Sequence, residues 1–121
     1  MEEEEEEDDY NIYLCKIVLV GDNFGKKNII SSLIDNTLED DMKSKGMSSF
    51  FEKTLKFDGK MVNFGIWDTE GREKYSYLGK LFYKDANAVI LVYDAANRQS
   101  FEEIQQYLYN QVKEYAPRNI S

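Results

Sequence analysis

Two runs in this chain, Ile12–Val20 (IYLCKIVLV) and Ala88–Tyr93 (AVILVY), are apolar at nearly every position. A strand with one solvated face alternates polar and apolar residues, whereas a strand covered on both faces has no reason to. Both runs therefore read as buried central strands, which demands helices above and below a sheet. The helical signals are there. Ile29, Ile30, Leu33 and Ile34 recur at helical spacing, and Tyr75, Leu78, Leu81 and Phe82 mark a helix over Glu73–Tyr83. Phe101, Ile104, Leu108, Val112 and Tyr115 form the stripe of a longer last helix. Ser100, with Glu103 three residues on, reads as its capping box, and Pro117, the only proline, follows its end. Phe50–Phe57 and Met61–Trp67 flank Asp58-Gly59-Lys60, a hairpin signal. Asp35–Ser49 is polar and irregular and reads as a loop. The order β-α-β-β-α-β-α predicts an α/β fold: a mainly parallel sheet, one antiparallel edge hairpin, and helices on both faces.

With 121 residues, a single domain is expected over residues 11–121. The net charge of -8 belongs to residues 1–10: eight of the 23 acidic residues are the run Glu2–Asp9, and the 15 that remain equal the 15 Lys+Arg. Such a run repels itself and buries nothing, so it predicts a disordered tail, either simply solvated or a hook for a basic partner. The chain has no histidine and one cysteine, Cys15, inside the first apolar strand. Histidine catalysis, zinc sites and internal disulfides are thereby excluded. The apolar runs are strand-length, with no transmembrane or signal pattern, so a cytosolic location is the default. No basic-aromatic surface points to nucleic acid.

Chemistry concentrates at two strand ends. The strand Phe64–Asp68 ends in a carboxylate and passes at once into Thr69-Glu70-Gly71, which sets an acid and a backbone N–H side by side, as binding of a metal ion and a terminal phosphate requires. The first strand runs into Gly21-Asp22-Asn23-Phe24-Gly25-Lys26-Lys27-Asn28, a turn that precedes a helix. Backbone amides and a lysine at such a turn cradle phosphate. The GxxxxGK[ST] spacing fits in either of two registers. Either Lys27 is the phosphate lysine, with Lys26 on the second glycine position and Asn28 on the hydroxyl position, or Gly25-Lys26 is the Gly-Lys pair, the loop is one residue short, and Lys27 takes the hydroxyl position. The downstream spacing prefers the second.

The order of these pieces carries a resemblance. YLCKIVLVGD, KTLKFDGKMVNFGIWDT, WDTEGREKY, LFYKDANAVILVYDAANRQSFEEI and YLYNQVKEYAP resemble, in order and over roughly residues 10–117, the segments of Ras-superfamily small GTPases of the Rab type. The resemblance implies a P-loop GTPase fold and a GTP/GDP-binding molecular switch in vesicle trafficking. By it, Gly21–Lys27 would wrap the α- and β-phosphates, with Asn28 and Thr69 also among the nucleotide-binding residues. Asp68 would hold magnesium through water, Asn28 being a second possible metal ligand. Gly71 would offer its N–H to the γ-phosphate, and Arg72 would sit beside the attacking water. Residues 50–83 would form the surface for effectors and regulators.

Three positions depart from that pattern. Lys27, or Asn28 in the other register, replaces the loop Ser/Thr. Lys45 replaces the switch threonine that ligates magnesium, and Arg72 replaces the water-positioning glutamine. Magnesium needs oxygen ligands, which an ammonium does not offer. Weakened magnesium binding and impaired hydrolysis are expected; the cations either replace the metal's charge or mark decay of an unused site. A pseudo-GTPase acting as an interaction module, or a fragment of a longer GTPase, is the alternative. The base-reading NKxD and SAK-like motifs of the family and its C-terminal prenylated cysteine are absent from these residues, so the fold is expected to be C-terminally truncated, the second apolar run to lie at a sheet edge, and any location at endomembranes to depend on partners.

Overall fold

The computed structural model describes residues 11–35, 42–44, 50–74 and 76–121. The acidic run and Lys45 lie outside the described residues. The elements are β1 (Ile12–Gly21), α1 (Asn23–Asp35), β2 (Met42–Ser44), β3 (Phe50–Phe57), β4 (Lys60–Asp68), a 3-10 turn (Arg72–Lys74), α2 (Ser76–Tyr83), β5 (Ala88–Val92), α3 (Arg98–Glu103), a π-helical stretch (Ile104–Leu108) and α4 (Tyr109–Tyr115). The last three run on without a break.

The five strands form one sheet in the order β2-β3-β4-β1-β5. β1 is flanked on both sides by parallel neighbours, with Leu19 opposite Asp68 on β4 and Ile90 on β5. This register brings the end of β1, the Asp68-Thr69 turn and the end of β5 to one edge of the sheet, where the phosphate-type turn also lies. The hairpin of β3 and β4 is antiparallel, with Phe50 opposite Trp67 and their rings 4.3 Å apart. Asp58 and Gly59 both adopt positive φ, 49° and 79°, as a tight two-residue hairpin turn requires. β2 extends that side of the sheet by pairing antiparallel with β3. It falls in the expected loop: three residues, MKS, carry no apolar alternation, so only backbone pairing marks them as a strand.

Alternation along β1 builds two cores. Val18 and Val20 face Tyr83, Ala86, Ile104, Leu108 and Val112, so α2 and the last helix cover one face. Leu19 faces Ile30 on α1, with Phe51 and Ile66, on the other. Burial of Ile104, Leu108 and Val112 follows the expected stripe, at i, i+4 and i+8. Phe101, also expected in it, is 37% exposed and instead meets Tyr93 edge-to-face.

Three local expectations are corrected. The helix expected over Glu73–Tyr83 is a 3-10 turn followed by α2; Tyr83, outside the expected stripe, is buried and Phe82 packs on the core, whereas Leu81 is exposed. Tyr75 of the expected stripe lies outside the described residues. The last helix starts three residues early: Asn97 is its N-cap, its side chain accepting from the Gln99 N–H. Ser100 lies inside the first turn, where its hydroxyl bonds the Asn97 carbonyl and accepts from the Asp94 N–H. A serine in the first turn and a serine at the cap look alike in sequence when an Asn stands just upstream.

Lys16 fastens two layers. Its ammonium reaches from β1 to the Lys84 carbonyl at 2.7 Å, next to the C-terminus of α2, and its N–H donates to the Asn87 side chain. β5 lies at the other sheet edge, where the Val89 N–H donates to the Ser121 carbonyl. No helix among the described residues is long and apolar enough to cross a membrane.

Candidate functional site

The site begins where β1 stops. Gly21 has φ of +114°, and a Cβ there would run into the Val92 carbonyl oxygen, so only glycine lets β1 and β5 end side by side. The Asp22 N–H then donates to that same carbonyl at 2.9 Å. The chain has no room for an open loop after this: α1 starts at Asn23. Asp22 acts as its cap. The Asp22 carboxylate accepts from the Gly25 N–H at 2.8 Å, and the Asp22 carbonyl accepts from the Lys26 N–H at 3.0 Å. Gly21 to Lys27, expected to wrap phosphates as a loop, is a one-residue turn followed by a helix. A loop one residue short is the sequence signal for this, since the helix has to begin earlier to keep Lys26 in step.

Of the two lysines, Lys26 is the one turned inward. It is fully buried, and its ammonium lies 3.2 Å from the Asp68 carboxylate and 3.1 Å from the Thr69 hydroxyl. Thr69 is buried as well, and its hydroxyl donates to the Leu19 carbonyl at 3.1 Å. Lys26 and Thr69, 43 residues apart, thus meet at the end of β1. Lys27, Asn28, Asn23 and Phe24 are exposed on α1.

Beyond Thr69 the turn is tight. The Glu70 N–H donates to the Asp68 carboxylate, and Glu70 and Gly71 adopt φ of 54° and 85°. Gly71 approaches the phosphate-type turn: a Cβ on it would sit 3.9 Å from the Asn23 side-chain amide. Arg72 turns back on its own loop. Its Nε donates to the Thr69 carbonyl at 3.2 Å, its guanidinium pairs with Glu70 at 3.7 Å, and it lies 5.5 Å from the Phe82 ring centre.

Reading the residues one by one missed two neighbours. Glu73 is 1% exposed, and neither carboxylate oxygen has a hydrogen-bond partner among the described residues. Gln111, on α4, is buried and joins three elements: its amide donates to the Glu73 carbonyl at 2.8 Å and to the Tyr107 hydroxyl, and its oxygen accepts from the Tyr83 hydroxyl at 3.0 Å. Burial, reinforced by the nearby Glu73 charge, pushes the Tyr83 hydroxyl above its ordinary range. A glutamine between the apolar positions of a helical stripe gives no sign in sequence of such a role.

These residues do not fit a magnesium ion. The Asp68 carboxylate is engaged by Lys26 and by the Glu70 N–H. Lys27 offers no oxygen, and Asn28 is exposed on α1. Among the described residues no group of three or more acidic, histidine or cysteine side chains is placed to hold a metal.

The model of the Ras family matches residues 16–121. The chain is 40% identical over 115 residues to the Ras-related protein RABA1b of Arabidopsis thaliana, covering 94% of this chain and 52% of that protein. It is 39% identical over 109 residues to Rab2BV of Beta vulgaris, covering 89% and 50%, and 39% identical over 97 residues to Rab-11B of Dictyostelium discoideum, covering 79% and 44%. The chain spans about half the length of the curated relatives it matches. On the sheet order, the Lys26–Asp68–Thr69 junction and these matches, the chain belongs to the Ras family and is of the Rab type.

Proposed function

We propose that the chain binds guanine nucleotide through its phosphates, with little help from magnesium, hydrolyses GTP poorly, and works in intracellular vesicle trafficking, in the cytoplasm and at endomembranes through protein partners. The observation that supports nucleotide binding is the junction of Lys26 with Asp68 and Thr69, where a buried ammonium stands at the N-terminal end of a helix. A lysine and helix amides together suit a phosphate. Poor hydrolysis is supported by Arg72, whose guanidinium bonds the Thr69 carbonyl and pairs with Glu70, since phosphoryl transfer depends on positioning the attacking water and stabilising charge. The trafficking role rests on the Rab-type relatives.

The test is binding of fluorescent GDP and GTP to the purified chain in magnesium and in EDTA, followed by single-turnover hydrolysis. Similar affinity in both media, with hydrolysis far slower than in an ordinary Rab-type protein, is the expected result. Affinity that collapses in EDTA would refute the metal-independent part.

A second reading has its own observation. Leu55 and Phe57 on the hairpin are 37% and 49% exposed, apolar surface on the 50–83 segment that would meet effectors. A chain that unfolds cooperatively, binds no nucleotide and still captures a protein partner through this face would be a pseudo-GTPase interaction module.

A further inference from the structure

Two phosphate-type donors of this turn, the Gly25 N–H and the Lys26 ammonium, are each engaged by a carboxylate of the chain itself. Asp22 accepts from the Gly25 N–H at 2.8 Å, and Asp68 pairs with the Lys26 ammonium at 3.2 Å. We infer that this site is self-occupied: phosphate enters only by displacing protein carboxylates, and Asp22 is the residue that sets how strongly it is opposed. The inference rests on the reading of this turn as the nucleotide site and names how that site is regulated.

The asymmetry between the two acids decides which one matters. Asp68 is buried with Lys26, and separating the pair without replacement would strand a charge in the interior. Asp22 is only partly buried and lies on the outward side of the turn, at a pocket of about 410 Å³ between Gly21–Phe24 and Asn97, Ser100 and Glu103. Among the described residues that pocket is lined by two carboxylates, Asp22 and Glu103, and by no lysine or arginine. An anion arriving from this side meets like charge at close range, with nothing in the lining to offset it.

The geometry also explains how the turn came to be closed. With α1 beginning at Asn23, the Gly25 amide is a first-turn donor of a helix, and a cap carboxylate is its favoured acceptor. The one-residue turn thus makes the Gly25 amide the donor of a capped helix end, with the Asp22 carboxylate as its acceptor.

The variant Asp22→Asn tests this directly. Asparagine caps helices as well as aspartate does but carries no charge, so the fold stays intact while the opposition is removed. Fluorescent GDP binding in EDTA is measured for the unaltered chain and for Asp22→Asn, with pyrophosphate as competitor to show that the phosphates are what is recognised. The expected result is affinity at least roughly tenfold tighter for Asp22→Asn, the size of one removed close-range charge repulsion. Asp22→Ala is the second variant: it loses the cap, so its Tm falls, yet its GDP affinity rises as well, which a purely structural cap would not produce. If the unaltered chain binds GDP and Asp22→Asn binds no tighter, the self-occupied site is overturned while the nucleotide reading stands. If neither binds, both are overturned.

Discussion

Lys26 Nζ lies 3.2 Å from the Asp68 carboxylate, and both side chains are out of solvent. Each charge is tolerable in the interior only because of the other. Lys26→Met should therefore cost about 3–5 kcal/mol of unfolding free energy, because Asp68 stays behind uncompensated. Lys26→Met combined with Asp68→Asn should recover much of that loss, since the neutral pair leaves no buried charge. Urea unfolding of the two single variants and the double variant gives the coupling. A double variant whose losses simply add would show that the pair is not an energetic unit.

The β-strands were legible in sequence, since β1 and β5 appear where the apolar runs lie and the hairpin appears around Asp58-Gly59, but the runs overstate burial: Val18, Leu19, Val20 and Val92 are buried, whereas Ile12, Tyr13, Leu14 and Ile90 are exposed and β5 lies at a sheet edge. The Lys26–Asp68 meeting was foreshadowed by two strand-end motifs, and register does the rest, since β1 and β4 run parallel with Leu19 opposite Asp68. What sequence hid is what depends on single contacts. Asp22 reads as one polar residue in a turn, and its role as a cap follows only from where α1 begins. Glu73 reads only as the start of the helix expected over Glu73–Tyr83, and it is buried in the 3-10 turn, where its carbonyl accepts from Gln111 on α4.

Gly21 carries the geometry of the whole site edge. Gly21→Ala combines a φ of +114° with an overlap on the Val92 carbonyl, which no rotamer relieves. The expected cost is more than about 3 kcal/mol. Gly59→Ala is the matched control, with φ of +79° and open space around it, and should cost only about 1–2 kcal/mol. Equal losses for the two variants would mean that the β1–β5 junction relaxes freely.

Glu73 is a liability that substitution should relieve. Its carboxylate is 1% exposed and neither oxygen has a hydrogen-bond partner among the described residues, so it has lost water without a bond to replace it. Its backbone carbonyl, which Gln111 uses, is unaffected by a change of side chain. Glu73→Met keeps the volume and removes the polar group, and should stabilise the chain by about 1–3 kcal/mol. A lower denaturation midpoint would show that the carboxylate is satisfied in solution by something else.

Restoring the glutamine should not restore catalysis. Arg72→Gln returns the residue expected to position water, but among the described residues the Asp68 carboxylate stays engaged by Lys26 and no group of three or more acidic, histidine or cysteine side chains is placed to hold a metal. Single-turnover GTP hydrolysis should change by less than roughly tenfold, because one positioning group contributes little without the charge stabilisation that accompanies it. The side chain is 45% exposed, so stability should move by no more than about 0.5 kcal/mol. A large gain in hydrolysis would mean that Arg72 alone accounts for the slow hydrolysis proposed above.

Tyr83 gives the fold a defined alkaline weakness. Burial, then the charge of Glu73, then Tyr107, raise its hydroxyl above the ordinary tyrosine value, while its proton bonds the Gln111 oxygen at 3.0 Å. In the unfolded chain the same hydroxyl ionises near about pH 10. Above that pH the unfolded chain has released a proton that the folded chain keeps, so the unfolded state binds fewer protons and stability falls as pH rises. The contribution is fully present below about pH 10 and is lost above it, as pH climbs toward the folded-state value. Tyr83→Phe gives up the Gln111 bond, at a cost of about 1 kcal/mol near neutrality, but has no proton to lose. The Tm gap between the two proteins should therefore narrow steadily above about pH 10. A gap that stays constant across that range would place the Tyr83 hydroxyl in contact with water and remove the link between Glu73, Tyr83 and the alkaline limit of the fold.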